Sequence, residues 1–213
     1  MACDCYPYAA SASTLDVGQV RPGTRVGITW STPHPEHAGR PLDEIARAWS
    51  VSEVEAARRL MPAGAVYHCM REDDVRRILA HPLTMIGSDG LPADPLPHPR
   101  LWGTFPRVLG HYCRDHGLFD LGTAVHRMTG LSAARFGLRG RGLLHDGAWA
   151  DLVLFDAANV RDTASYAAPC QRAEGIVEVW VNGHSSLRAG QPAHGRAGRL
   201  LRRGVDVHPP AFS

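Results

Sequence analysis

After Gly137 the hydrophobic period changes from 3.6 to 2. That change constrains the fold more than any other feature. The first two-thirds of the chain reads as short amphipathic helices and the last third as strands. A mainly helical part is therefore expected to be followed by a small β unit over 138–203. In the last third, 150–155 and 176–181 are expected strands. Asn182-Gly183 follows as a two-residue hairpin turn, with 184–187 as the returning strand.

In the helical part, Pro41 opens a helix over 41–49 with Leu42, Ile45, Ala46 and Trp49 on one face. Ser52 and Glu55 form a capping box for a second helix that runs to Leu60 and is stopped by Pro62. A third helix is expected over 71–80, with Val75, Ile78 and Leu79 as its stripe. A fourth spans 105–116, with Phe105, Val108, Leu109 and Tyr112 inward and Gly117 at its end. Two more cover 121–129 and 132–136. Residues 3–8 read as an extended strand broken by Pro7, and 25–30 as a short strand. The run Thr84-Met85-Ile86 ending in Gly87-Ser88-Asp89-Gly90 reads as a buried parallel strand with a carboxylate at its C-terminal end.

Composition narrows the function classes. The chain has 213 residues, 44% of them hydrophobic, enough for one domain or two small ones. All 23 cations are arginine against 21 acidic residues, so the net charge of +2 gives no electrostatic footprint for nucleic acid. No apolar run approaches the ~18 residues of a membrane span, and the first residues lack a signal-peptide pattern. Five cysteines at irregular spacing argue against a secreted disulfide framework. A soluble cytoplasmic protein with no nucleic-acid or membrane partner is the expectation.

Asp89 is the leading candidate for chemistry, because α/β barrels place catalytic groups at strand C-termini. A turn aspartate reads equally well. Arg100, after a loop with four prolines, could clamp a carboxylate with two parallel hydrogen bonds, or pair structurally with Asp94 or Asp89. Tyr6 and Tyr8 flank Pro7 and either present a phenol or pack as aromatics. Met70 reads as core filler or pocket wall. The twelve histidines form no recognised metal motif. His34 and His37 are three apart in a proline-rich loop with Glu36 between them, and Cys3 and Cys5 lack a second cysteine pair nearby.

Five segments together resemble the N-acyl-D-amino-acid deacylases of the metal-dependent amidohydrolase superfamily. They are Asp4-Cys5-Tyr6-Pro7-Tyr8, Met70-Arg71-Glu72-Asp73-Asp74, Met85 to Gly90, His98-Pro99-Arg100 through Arg107, and Ala150-Asp151-Leu152-Val153 through Asp156. The resemblance runs from about residue 3 to residue 203. It implies an α/β fold: the C-terminal part of a TIM-like barrel, its last two strands with a helical lid insertion, followed by a β-sandwich segment. On that reading 1–16 holds barrel strand seven and 17–80 is a helical lid-like insertion. Strand eight and the following helices occupy 81–137, the β-sandwich segment is 138–203, and 204–213 is a tail. The implied chemistry is hydrolysis of N-acyl-D-amino acids by water activated on zinc. Asp89 matches the family's proton-transferring aspartate and metal ligand, Arg100 the arginine that binds the substrate α-carboxylate, and Tyr6 and Met70 pocket residues. The other implied ligands, an H-x-H strand, a cysteine and two histidines, have no counterpart here. The chain alone is therefore expected to be inactive, needing a companion chain to supply the missing strands. The alternative is a non-catalytic remnant or small-molecule-binding module.

Overall fold

The structure, a computed structural model, describes residues 2–193 and 195–202. The expected tail at 204–213 lies outside the described residues. The elements run β1 Cys3–Cys5, β2 Ser11–Thr14, β3 Arg25–Ser31, α1 Leu42–Ala48, α2 Glu53–Leu60, β4 Ala63–His68, α3 Glu72–Ala80 and β5 Thr84–Ile86. They continue with α4 Arg100–Arg107, a π-helical run Val108–Asp115, α5 Leu121–Met128, α6 Gly130–Phe136, β6 Leu152–Phe155, β7 Ile176–Val181, β8 His184–Arg188 and β9 Gln191–Pro192. Among the described residues no helix is long and apolar enough to cross a membrane.

Three sheets form. β1 and β5 pair in parallel, with Cys3 opposite Thr84 and Cys5 opposite Ile86. β2, β4 and β3 make an antiparallel sheet with β4 at its centre. β6 to β9 make a four-stranded antiparallel sheet in sequence order. Asn182 and Gly183 both adopt positive φ, at 50° and 81°, the twist a two-residue hairpin needs.

Two apolar clusters hold these pieces. Val26 and Ile28 of β3 and Ala65 and Tyr67 of β4 pack with Leu42, Ile45 and Leu60 from α1 and α2. Val75 and Leu79 of α3 and Ile86 of β5 pack with Val108, Leu109, Tyr112, Ala124 and Val160. β6 is less covered: Leu152, Val153 and Leu154 all stay substantially exposed along the edge of its sheet.

Several local expectations need correction. The extended run at 3–8 is a strand only to Cys5; the Tyr8 N–H then turns back to the Tyr6 carbonyl at 3.0 Å. Within 17–80 the expected strand at 25–30 forms as β3, but an unexpected strand, β4, pairs with it and recruits β2 from before residue 17. Ile78 is exposed because Val75 and Leu79, four apart, already fill the inner face of α3. Phe105 is exposed too. Its helix begins at Arg100, which turns Arg100, Gly103, Thr104 and Pro106 inward instead. Pro106 lacks an N–H, and π-helical bonding follows from Val108.

Candidate functional site

β5 ends at Ile86, and the Gly87 N–H still bonds the Cys5 carbonyl at 3.2 Å, so the two parallel strands close together. Three residues on, Asp89 takes a left-handed conformation at φ 49°. Its Oδ1 accepts from the Gly90 N–H at 2.6 Å, which is turn chemistry. Gly90 follows at φ 122°, and a Cβ there would meet the Leu101 side chain at 2.5 Å. The turn therefore demands glycine and aims Asp89 at the start of α4.

Arg100, the first residue of α4, is only 2% exposed. One guanidinium nitrogen lies 2.8 Å from Asp89 Oδ2, and the same nitrogen reaches the Ala12 carbonyl at 3.5 Å. The guanidinium carbon sits 4.4 Å from the centre of the Tyr6 ring, a cation–π contact. Its Nε is buried and has no hydrogen-bond partner. A guanidinium presents paired N–H donors that match a planar carboxylate. Asp89 engages one edge and leaves Nε unanswered. Burial holds the Tyr6 phenol above its ordinary value, partly offset by the Arg100 charge, so Tyr6 is a neutral donor at neutral pH.

His98 fixes this arrangement from below. Its Nδ1 accepts from the Arg100 N–H at 3.0 Å, which leaves Nε2–H to donate to the Ala10 carbonyl at 3.1 Å. Burial, helped by the Arg100 charge, pushes the imidazole down to about 3, so it stays neutral. Its ring lies 5.2 Å from that of Tyr8 and 5.1 Å from that of Tyr166, both edge-on. Further along the helix, Arg107 donates to the Pro7 carbonyl at 2.9 Å and pairs with Asp162 at 3.3 Å. His98, Arg100 and Arg107 thus grip the 6–12 segment at Ala10, Tyr6 and Pro7.

Of the four candidate residues, Asp89, Arg100 and Tyr6 meet in one place. Met70 is tied instead to the backbone of the 6–12 segment. Its N–H bonds the Ala9 carbonyl at 3.2 Å and its side chain is exposed. Asp94 does not pair with Arg100; it accepts from the Trp30 indole at 3.1 Å. Tyr8 is a packed aromatic. Sequence reasoning passed over His98 and Tyr166. The one signal for His98 was its place two residues before Arg100. For a metal, Asp89 offers a carboxylate, but it joins no group of three ligand-bearing side chains among the described residues.

The amidohydrolase family profile matches residues 23–186. A D-aminoacylase of Alcaligenes xylosoxydans xylosoxydans is 55% identical over 200 residues, 94% of this chain and 41% of the relative. A crystal structure of D-aminoacylase superposes with a TM-score of 0.91 at 53% identity, over 94% of this chain and 42% of that one. The N-acyl-D-glutamate deacylase of Bordetella bronchiseptica, in complex with zinc and a phosphonate mimic of the tetrahedral intermediate, superposes with a TM-score of 0.90 at 50% identity, over 94% of this chain and 42% of that one. The chain thus spans about two-fifths of the length of the relatives it matches.

Proposed function

The chain belongs to the amidohydrolase family, and from that premise we propose that it forms the carboxylate-binding and proton-transferring part of a hydrolase for N-acyl-D-amino acids. The observation that carries the reading is the 2.8 Å approach of Asp89 to Arg100. In an N-acyl amino acid a single carbon separates the α-carboxylate from the scissile nitrogen. A carboxylate held on Arg100 therefore brings that nitrogen beside Asp89. The unanswered Nε of Arg100 is the donor such a carboxylate would satisfy. Asp89 then takes a proton from the attacking water and delivers it to the leaving amine. Tyr6 holds the guanidinium in place, and Met70 takes the pocket-wall role that the resemblance implies. D-selectivity is carried over from the relatives.

Zinc supplies this chemistry in the reading, by lowering the pKa of a water and polarising the scissile carbonyl. A catalytic zinc takes three protein ligands. The described residues place only Asp89 here, so the remaining ligands come from the rest of an assembled enzyme. In that assembly β1 and β5 act as neighbouring strands of a TIM-like barrel, and β6 to β9 belong to a β-sandwich. Five free cysteines suit a reducing, cytoplasmic setting.

A chimera tests this. The chain replaces its matching 200 residues in the Alcaligenes D-aminoacylase. The chimera is expected to hydrolyse N-acetyl-D-methionine and spare the L-enantiomer, while the 213-residue chain alone does not turn over. Arg100→Lys in the chimera is expected to raise KM by roughly ten- to a hundredfold, the worth of a charged hydrogen bond. Asp89→Asn is expected to cut kcat by about 10²- to 10⁴-fold. A folded chimera that stays inactive, or one indifferent to Arg100, leaves the chain a non-catalytic module.

A further inference from the structure

A second cluster of ligand-type side chains lies on a different loop and takes no part in the chemistry above. Ser31 ends β3, and a short 3₁₀ turn Pro35–His37 follows it. His34 Nδ1 lies 3.1 Å from Glu36 Oε1, and His37 Nε2 lies 3.8 Å from the same oxygen. One ligand atom from each of the three residues falls within 4.8 Å of the others, the only such group among the described residues. We propose that His34, Glu36 and His37 form a binding site for a divalent transition-metal ion of the zinc kind.

The spacing fits such an ion. Tetrahedral zinc with bonds of about 2.0–2.2 Å sets its ligand atoms ~3.4 Å apart. The two observed separations bracket that value. Two imidazoles and one carboxylate are borderline donors that suit zinc, cobalt or nickel better than magnesium or calcium. The ion would enter from the open side, where the side chains of His34 and Glu36 are 36% and 61% exposed, and rest on His37, which is 10% exposed. The fourth position stays with water.

The loop is also held before any ion arrives. Pro33 and Pro35 flank His34, whose N–H bonds Ser31 Oγ at 3.2 Å; that hydroxyl in turn donates to the Leu60 carbonyl at 2.6 Å. Past His37, the Gly39 N–H bonds the Ile28 carbonyl at 2.7 Å, and the Ile28 N–H bonds the Arg40 carbonyl at 2.9 Å. The Trp49 ring packs against both imidazoles, 4.8 Å from His34 and 5.0 Å from His37. Both histidines therefore sit on a framework fixed by β3 and α1, as a preorganised site requires.

Arg40 is set against the ion. It donates to His37 Nδ1 at 3.1 Å. A histidine that ligates through Nε2 carries its proton on Nδ1 and needs an acceptor there. Arg40 must swing away on loading, and a side chain that accepts at that place would serve the ion better.

The site stands independently of the hydrolase reading and is tested on the chelator-treated 213-residue chain by zinc calorimetry, with cobalt absorption reporting geometry. One ion per chain is expected, with equal affinity in the Asp89→Ala variant. His34→Gln and Glu36→Gln change exposed side chains and keep the fold, which near-UV circular dichroism checks. Each is expected to weaken binding by at least the ~10- to 100-fold typical of losing even an outer-shell group. Arg40→Gln is expected to tighten binding, its amide oxygen accepting from Nδ1–H. No saturable binding, or binding that His34→Gln and Glu36→Gln leave unchanged, overturns the proposal. Loss of the ion with Asp89→Ala alone does so too.

Discussion

The Arg100 side chain is only 2% exposed, and a buried guanidinium is tolerable only beside groups that answer it. Asp89 supplies a carboxylate from the solvent side, Tyr6 a π-face and Ala12 a carbonyl. His98 supports this cation by remaining uncharged, and that has a measurable cost. Its folded value near 3 lies below the ordinary 6.5 of an unfolded chain. Below 6.5 the unfolded state binds a proton that the folded state refuses, so stability is full above about 6.5 and falls as pH drops towards 3. Urea midpoints of the 213-residue chain should decline across that window, and His98→Gln should flatten the decline. An imidazole that titrates near 6.5 in the folded chain by NMR would contradict this. The pairing of Asp89 with Arg100 was legible in the sequence as one of the two ion pairs open to Arg100, since each residue sits in a distinctive setting, a glycine-flanked strand end and a proline-guarded helix start. His98 was not, because a histidine between prolines looks like any loop residue. Its meaning comes from Ala10, 88 positions away. His34, Glu36 and His37 stood together in the sequence, but three-residue spacing in a proline-rich loop did not show that their ligand atoms converge; that comes with the 3₁₀ turn, where Trp49 packs against both rings.

At the scale of elements, strands were legible where side chains alternate or a turn announces them. Asn182-Gly183 fixed the β7–β8 hairpin, and Ser52 capped α2 as its capping box requires, accepting from the Glu55 N–H at 3.2 Å. β4 gave no such signal. Ala63-Gly64-Ala65-Val66-Tyr67 is buried at every position, so it shows neither period, and small residues carry little strand propensity. Its central place explains the small residues. A Cβ on Gly64 would meet Trp30 Nε1 at 2.2 Å and Thr29 Oγ1 at 2.4 Å. Trp30 cannot yield freely, because its indole donates to Asp94. Gly64→Ala is therefore expected to destabilise the chain by about 1–3 kcal/mol through overpacking. It should also shift Trp30 fluorescence as the bond to Asp94 is lost. An unchanged urea midpoint would show that the indole moves aside at no cost.

At the scale of the molecule, the two apolar clusters share no residue. One lies between the β2–β4–β3 sheet and helices α1 and α2; the other gathers α3, β5, the π-helical run and α5. The links between them include the covalent chain, the β2 register, the bonds from His98 and Arg100 to the Ala10 and Ala12 carbonyls and the bond from Trp30 to Asp94. Polar links of that kind contribute about 0.5–1.5 kcal/mol each, far less than either core. The clusters should therefore unfold as separable units. Leu60 is fully buried in the first and Leu79 in the second. Truncating either to alanine costs about 2–5 kcal/mol where it packs. Leu60→Ala should speed amide exchange in β3, β4, α1 and α2 and leave α3 and α5 near their original protection, and Leu79→Ala should do the reverse. If either substitution lowers protection equally in both regions, the chain is a single cooperative unit. The site at Asp89 and Arg100, built across the junction, would then inherit its rigidity from the whole molecule and not from α4 and β5 alone.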